Sequence, residues 1–238
     1  MNRLTILMQK IAPSRGSPQA RQSLEPLVEV YDVTPFATEI DLSAMEVIHW
    51  APVWMTRAER LLLYALTFSL RPAHYLEIGT LKGGSALVVA TAMDALDTTG
   101  RLVCVDPKPQ IDPEHWKRLE HRTTLLQGIS PDILPHAYEA AGGSFDLVLI
   151  DGDHTRAGVV RDANGVLPFV ADGAYLLFHD SFFPDVAQGI HDFVAQHSDQ
   201  VVDCGILTRE VTLQPQSQGK PLRWGGLRLI QVRRGSKL

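Results

Sequence analysis

Five segments of the chain place polar residues directly after a short apolar run: Glu77-Ile-Gly79-Thr80-Leu-Lys-Gly83-Gly84-Ser85, Asp106, Gly128-Ile129-Ser130, Asp151-Gly-Asp153-His154 and His179-Asp180. Glycines in the first segment let the backbone turn sharply and bring amide N–H groups against a ligand at a helix start. The spacing is neither that of a phosphate-binding P-loop, whose Lys sits before Ser/Thr at the helix start, nor the G-x-G-x-x-G of dinucleotide enzymes. Asp106, ending the next apolar run, is placed to accept hydrogen bonds from two ribose hydroxyls, as an acidic residue does in NAD enzymes. Glycine turn and acidic strand end together point to an adenosine-type cofactor and leave its identity open. The plainer alternatives are a turn with no ligand and a solvated carboxylate before Pro107.

These residues need elements to hold them. Thr56-Arg-Ala-Glu59 has the spacing of a capping box, and the apolar run after it stops before Pro72, which predicts a helix at about 57 to 70. Strands are expected at 74 to 79, 101 to 106, 123 to 127, 145 to 151 and 173 to 179, with helical stretches between them. Asp112-Pro113 and Ser130-Pro131 read as N-caps followed by proline in the first helical turn. After a helix at about 185 to 197, Gln200 to Leu207 and Leu227 to Val232 read as two strands with no helix between them, hence antiparallel, and residues 208 to 225 read as a long loop. The fold class is therefore α/β: an open, doubly wound, mostly parallel seven-stranded sheet with an antiparallel C-terminal strand. In such sheets ligands bind beyond the carboxyl ends of the strands, where all five polar segments fall.

At this point the sequence resembles the class I S-adenosylmethionine-dependent methyltransferases, a Rossmann-like group. Glu77-Ile-Gly79-x-x-x-Gly83-x-Ser85 is similar to their first motif, Val105-Asp106 to the ribose-binding end, and Gly128-Ile129-Ser130 to the turn flanking adenine. The narrower likeness is to small-molecule O-methyltransferases of the catechol and caffeoyl-CoA type, and to bacterial sugar O-methyltransferases and cephalosporin-hydroxylase-like proteins. It rests on Ile150-Asp-Gly-Asp-His154 and Gly173-x-x-Leu-Leu-Phe-His179-Asp180 and covers roughly residues 56 to 200. The resemblance implies S-adenosylmethionine as cofactor, a hydroxyl of a small metabolite (sugar or phenolic) as acceptor, and a divalent metal, Mg²⁺ or Mn²⁺. It places Glu77, Gly79, Thr80, Gly83, Ser85, Asp106, Gly128, Ile129, Ser130 and Asp151 on the cofactor, with Ser85 near the methionine carboxylate and Ile129 and Ser130 beside adenine. Asp151, His179 and Asp180 become the metal ligands, where catechol-type relatives carry Asp-Asn at the last two positions. His154 stands where those relatives carry a catalytic lysine. An imidazole titrating near neutrality suits the base that accepts the hydroxyl proton, and a polar residue at a helix start is the plainer alternative.

Composition bounds the rest. The 238 residues are 45% apolar and 21% charged, which is globular. A formal charge of -5 disfavours nucleic acid and anionic lipid as partners. The longest apolar run, Leu61 to Leu70, is about half of the roughly 20 residues a membrane span needs, and no cleavable leader pattern opens the chain, so a cytoplasmic protein is expected. Cys104 and Cys204 lie inside apolar runs and read as buried thiols. Residues 1 to 55, breaker-rich from 13 to 26, read as an N-terminal extension and substrate lid ahead of a methyltransferase domain at 56 to 238. A homo-oligomer is left open. Two rival functions remain, an NAD-dependent oxidoreductase and a catalytically silent nucleoside-binding module.

Overall fold

The computed structural model describes residues 43–96, 98–217 and 219–234; the breaker-rich stretch at 13 to 26 lies outside them. A 3-10 turn, Ser43–Glu46, leads into a one-turn helix α1 (Val47–Trp50). Val47, Ala51 and Met55 are buried in the core, so residues 43 to 55 of the expected extension pack as part of the domain. Helix α2 (Arg57–Leu70) starts at the anticipated capping box: Thr56 Oγ1 accepts from the Glu59 backbone N–H, and the Glu59 carboxylate accepts from the Thr56 N–H at 2.6 Å.

Strands and helices then alternate: β1 (His74–Ile78), α3 (Gly84–Ala95), β2 (Arg101–Asp106), α4 (Pro113–Leu119), β3 (Thr123–Gln127), α5 (Leu134–Ala141), β4 (Phe145–Ile150), α6 (Arg156–Val166), β5 (Val170–Phe178) and α7 (Pro184–Gln196). Beyond them come β6 (Val201–Ile206), β7 (Thr212–Gln214), β8 (Leu222–Trp224) and β9 (Arg228–Val232). The main sheet has seven strands in the order β3-β2-β1-β4-β5-β9-β6. Its first five members are parallel, and β9 runs antiparallel to both neighbours. The order reverses between β1 and β4, which opens a crevice at their carboxyl ends.

Apolar strands explain why both faces are covered. Leu76, Ile78, Val103, Val105, Val148 and Ile150 pack beneath α5, α6 and α7, while the alternate residues Tyr75, Leu102, Cys104, Leu147 and Leu149 pack beneath α2 and α3. Side chains alternate across a strand, so continuous apolar runs such as Phe145–Ile150 require two apolar layers. Cutting any of these leucines to Ala costs about 2–5 kcal/mol in lost burial and cavity formation.

Three expectations need correction. Ser130-Pro131 does not begin a helix, because α5 starts at Leu134 with Ile133 as its N-cap. Residues 208 to 225 are not simply a loop, because β7 and β8 pair as an antiparallel ribbon with Thr212 opposite Trp224 and Gln214 opposite Leu222. Three-residue strands are too short to reveal a period among Pro215, Gly219 and Pro221, and the ribbon is closed by the Trp224 indole N–H donating to Gln214 Oε1 at 2.8 Å. Cys104 is buried as expected, but Cys204 is exposed, because β6 is the edge strand of the sheet among the described residues. Among the described residues no helix is long and apolar enough to cross a membrane.

Candidate active site

The turn after β1 is built by backbone constraint. Gly79 has φ +93, and a Cβ there would sit 2.1 Å from the Asp151 carbonyl oxygen, so no other residue lets the ends of β1 and β4 approach this closely. The Asp151 N–H in turn donates to the Ile78 carbonyl at 2.8 Å. Gly83, with φ +73, is the N-cap of α3, and Leu81 is held at φ +43, an uncommon conformation for a branched apolar residue. Asp106 stabilises this turn from the next strand: Oδ2 accepts from the Leu81 N–H at 2.8 Å and Oδ1 from the Lys108 N–H at 2.6 Å.

A cleft of about 580 Å³ runs along these strand ends, lined by Gly79, Asp106, Gly128, Ile129, Ser130, Asp151, His154, His179 and Asp180 among others. A recess of about 60 Å³ holds Thr80 and Ser85 and shares Gly79 and Asp151 with the cleft. Glu77 lies beneath, fully buried, and lines neither space; Gly83 also lines neither. Burial pushes the Glu77 carboxyl up to about 7 despite the Ser85, Tyr75 and Thr80 side chains that favour its charge. Glu77 Oε1, Thr80 Oγ1 and Ser130 Oγ are buried without a hydrogen-bond partner, and so is His179 Nε2. Buried polar atoms without partners are costly and uncommon; these four lie at or beneath the cleft, while a fifth, Thr123 Oγ1, lies at the far end of β3.

At the other end of the cleft the turns after β4 and β5 converge. His179 Nδ1 lies 3.0 Å from Asp151 Oδ1 and 3.3 Å from Asp180 Oδ2, and its Nε2 lies 3.5 Å from Glu59 Oε2. Burial opposes its charge, but Asp151, Asp180 and Glu59 outweigh it and raise the imidazole well above its ordinary range. His154 Nε2 lies 2.9 Å from Asp180 Oδ2 and 3.5 Å from Asp151 Oδ1, and hydrogen bonding to these two carboxylates lifts it to about 9. That corrects the near-neutral titration expected from residue type alone. Asp180 is buried, yet both histidines and the Gly225 N–H, which donates to Oδ1 at 2.6 Å, hold its carboxyl well below the usual range.

Asp151, His154 and Asp180 offer ligand atoms that all lie within 4.8 Å of one another. His179, anticipated as a ligand, also lines the cleft but is only 4% exposed, and the three groups whose ligand atoms come together are Asp151, His154 and Asp180. Asp153 faces away from the cluster to pair with Arg161 at 3.3 Å and to cap the Thr155 N–H. Just before α2, Met55 is core, whereas Trp54 is 80% exposed and lines the cleft.

A second cavity, of about 640 Å³, adjoins the first and shares Trp54, His154 and Asp180 with it; the β7–β8 ribbon supplies Thr212, Gln214 and Trp224. Sequence reasoning missed two of its contributors. Glu59 is legible only as a capping-box residue, yet it is fully buried, approaches His179 and accepts from the Gly226 N–H. Trp224 carries no local signal at all.

Residues 76–181 match a family described as a methyltransferase domain. No curated protein matches the chain. Among solved structures the chain is similar to cofactor-bound Rv0187 from MTB, at 21% identity and TM-score 0.58, covering 81% of this chain and 88% of that one. It is also similar to the O-methyltransferase TomG from Streptomyces achromogenes, involved in tomaymycin synthesis and bound to S-adenosylmethionine, at 20% identity and TM-score 0.56, covering 80% and 87%. A third is the O-methyltransferase from Bacillus cereus with S-adenosylhomocysteine, at 18% identity and TM-score 0.55, covering 83% and 94%. At these identities the likeness is one of fold. The sheet order is that of a Rossmann-like methyltransferase fold, and residues 76–181 within it match a methyltransferase domain.

Proposed function

We propose that the protein transfers the methyl group of S-adenosylmethionine to a hydroxyl of a small molecule, with the cofactor in the 580 Å³ cleft and the acceptor in the adjoining 640 Å³ cavity. The observation that carries this reading is that His154 lines both spaces, at the place where methyl donor and acceptor oxygen must meet. The O-methyltransferases among the structural neighbours support the choice of oxygen.

Each cofactor role follows from an atom already described. Asp106 keeps lone pairs beyond the two spent on backbone N–H groups, since an ionised carboxylate offers about four acceptor sites, and these take the ribose hydroxyls. Ile129, 60% exposed in the cleft, covers adenine, and Ser130 Oγ and Gly128 lie at the same end. Thr80 and Ser85 meet the amino-acid end, beside Gly79 and Asp151, with Glu77 buried beneath them and Gly83 capping the helix behind. The buried atoms without partners fit such a polar ligand.

S-adenosylmethionine brings a methyl carbon on a sulfonium; as the acceptor oxygen bonds that carbon in line, the S–C bond breaks and its electron pair stays on sulfur. Asp180 and Asp151 hold the Nε2 side of His154, which leaves Nδ1 to take the hydroxyl proton. A second reading rests on the 4.8 Å cluster: Asp151, His154 and Asp180 would hold a divalent cation, Mn²⁺ in preference to Mg²⁺ because the set includes an imidazole. Such an ion would supply Lewis acidity to the hydroxyl, and His154 would then be a ligand and no base.

Following S-adenosylhomocysteine formation, with and without dialysis against EDTA, separates the two readings. Activity that survives dialysis and disappears in His154→Ala supports the base; activity that is lost and returns with Mn²⁺ supports the ion. Calorimetry showing NAD binding in place of S-adenosylhomocysteine would overturn both.

A further inference from the structure

Lys82 stands in the turn after β1, between Leu81 at φ +43 and Gly83 at φ +73. The turn is held on both sides: the Gly83 N–H donates to the Thr80 carbonyl at 2.7 Å, and the Leu81 carbonyl accepts from the Gln110 N–H at 2.7 Å. The lysine stem therefore leaves a fixed backbone. Its side chain is exposed and, among the described residues, forms no ion pair; the ammonium lies 5.7 Å from the centre of the Trp54 ring instead. Lys82 and Trp54 both line the 60 Å³ recess, so this cation–π contact keeps the ammonium beside the recess rather than far out in water.

The charges around that recess are few. Among the described residues lining it, Lys82 is the one cation and Asp151 the one carboxylate. The start of α3 adds to the positive side. Its first helical bond runs from the Leu87 N–H to the Gly83 carbonyl at 2.9 Å, so the N–H groups of Gly84, Ser85 and Ala86 have no partner within the helix. Gly84 and Ser85 line the recess, and open N–H groups at a helix start favour an anion. An α-amino acid carries a carboxylate and an ammonium on one carbon. A small recess with one group of each sign matches it and offers a neutral group nothing comparable.

We propose that Lys82 binds the methionyl carboxylate of the cofactor, and that it sets the preference for the whole cofactor over nucleosides that lack the amino-acid end. This inference rests on the cofactor placement above and adds a residue to it. It concerns the carboxylate alone, so it holds whether Asp151, His154 and Asp180 act without an ion or around one.

The test is calorimetry on the full chain with two probes, S-adenosylhomocysteine and 5′-methylthioadenosine, which has the same nucleoside and sulfur but no amino-acid end. Lys82→Met keeps the stem and removes the charge. It should weaken S-adenosylhomocysteine about tenfold, the lower end for a hydrogen bond to a charged group because the lysine is exposed, and leave 5′-methylthioadenosine unchanged, which also shows that the variant folds. Lys82→Arg should restore most of the loss. Raising KCl from about 50 to about 500 mM should weaken S-adenosylhomocysteine more in the parent than in Lys82→Met, since salt screens an exposed pair. Unchanged S-adenosylhomocysteine affinity in Lys82→Met, or an equal loss for both probes, overturns the proposal and leaves the cofactor reading standing. Failure of both probes to bind the parent overturns the cofactor reading and this inference with it.

Discussion

Asp106 carries two loads, and a single substitution separates them. Its carboxylate, 7% exposed, accepts from the Leu81 N–H at 2.8 Å and the Lys108 N–H at 2.6 Å, and in the proposed complex it also accepts from the ribose. Hydrogen bonds to a charged group are worth about 1.5–3 kcal/mol each. Removing both in Asp106→Ala strands two backbone donors, and water entering the open cleft recovers part of the loss, so the ligand-free chain should lose about 2–4 kcal/mol. Asp106→Asn keeps one acceptor oxygen and should lose about half of that. The ribose contacts add a loss of about 2–3 kcal/mol in cofactor affinity, roughly 30- to 150-fold in Kd. Urea unfolding without ligand reads the first quantity and calorimetry with S-adenosylhomocysteine, at a temperature where the variant is folded, reads the second. A Kd within threefold of the parent, with stability reduced, would refute the ribose assignment and leave Asp106 as a loop anchor; an unchanged unfolding midpoint would refute the anchor.

Three further outcomes are expected. Gly79→Ala puts a Cβ 2.1 Å from the Asp151 carbonyl oxygen at φ +93, so it should cost at least about 2 kcal/mol in urea unfolding; a stability loss below 0.5 kcal/mol, by order of magnitude, would mean the β1–β4 approach is slack. Glu77 titrates higher in the fold (about 7) than in the unfolded chain (about 4.5), so its burial penalty is absent below pH 4.5, grows as pH rises and is complete above 7. Cofactor-free Glu77→Gln should therefore match the parent near pH 4.5 and exceed it by up to about 3 kcal/mol at pH 8, and a pH-independent difference would contradict this. His154 is protonated below its raised value of about 9, so in the base reading turnover should climb through neutral pH and level near 9, a limb that His154→Ala abolishes along with about 10²- to 10⁴-fold of rate; a limb centred near 6.5 would show that the carboxylates do not control it.

What the sequence made legible follows from how local each signal is. The capping box at Thr56, the Asp112-Pro113 helix start and the apolar strands are written in adjacent residues, and α2, β2 and β3 occupy the spans anticipated, whereas Ser130-Pro131 precedes the α5 start by three residues. The polar strand ends were legible for the same reason, since a doubly wound sheet sends every carboxyl end to one edge. Glu59 and Trp224 were not legible, because their roles come from contacts far along the chain: Glu59 reaches Gly226, and Trp224 reaches Phe183 and His154. His179 lines the cleft, but residue type alone could not say that its ring would be enclosed between Asp151, Asp180 and Glu59. The ordinary titration assumed for His154 failed because two carboxylates face one ring nitrogen, a fact of geometry and not of spacing.

The contact between Gly79 and the Asp151 carbonyl joins the turn after β1 to the turn after β4 through main chain alone. Neither turn can be tuned by altering that joint; a substitution there breaks it instead of adjusting it. Variation is thereby left to outward positions such as Trp54 ahead of α2 and Trp224 on the ribbon. A descendant of this chain could change what it methylates while the methyl donor stays in the same place, with the same approach line to whatever oxygen arrives.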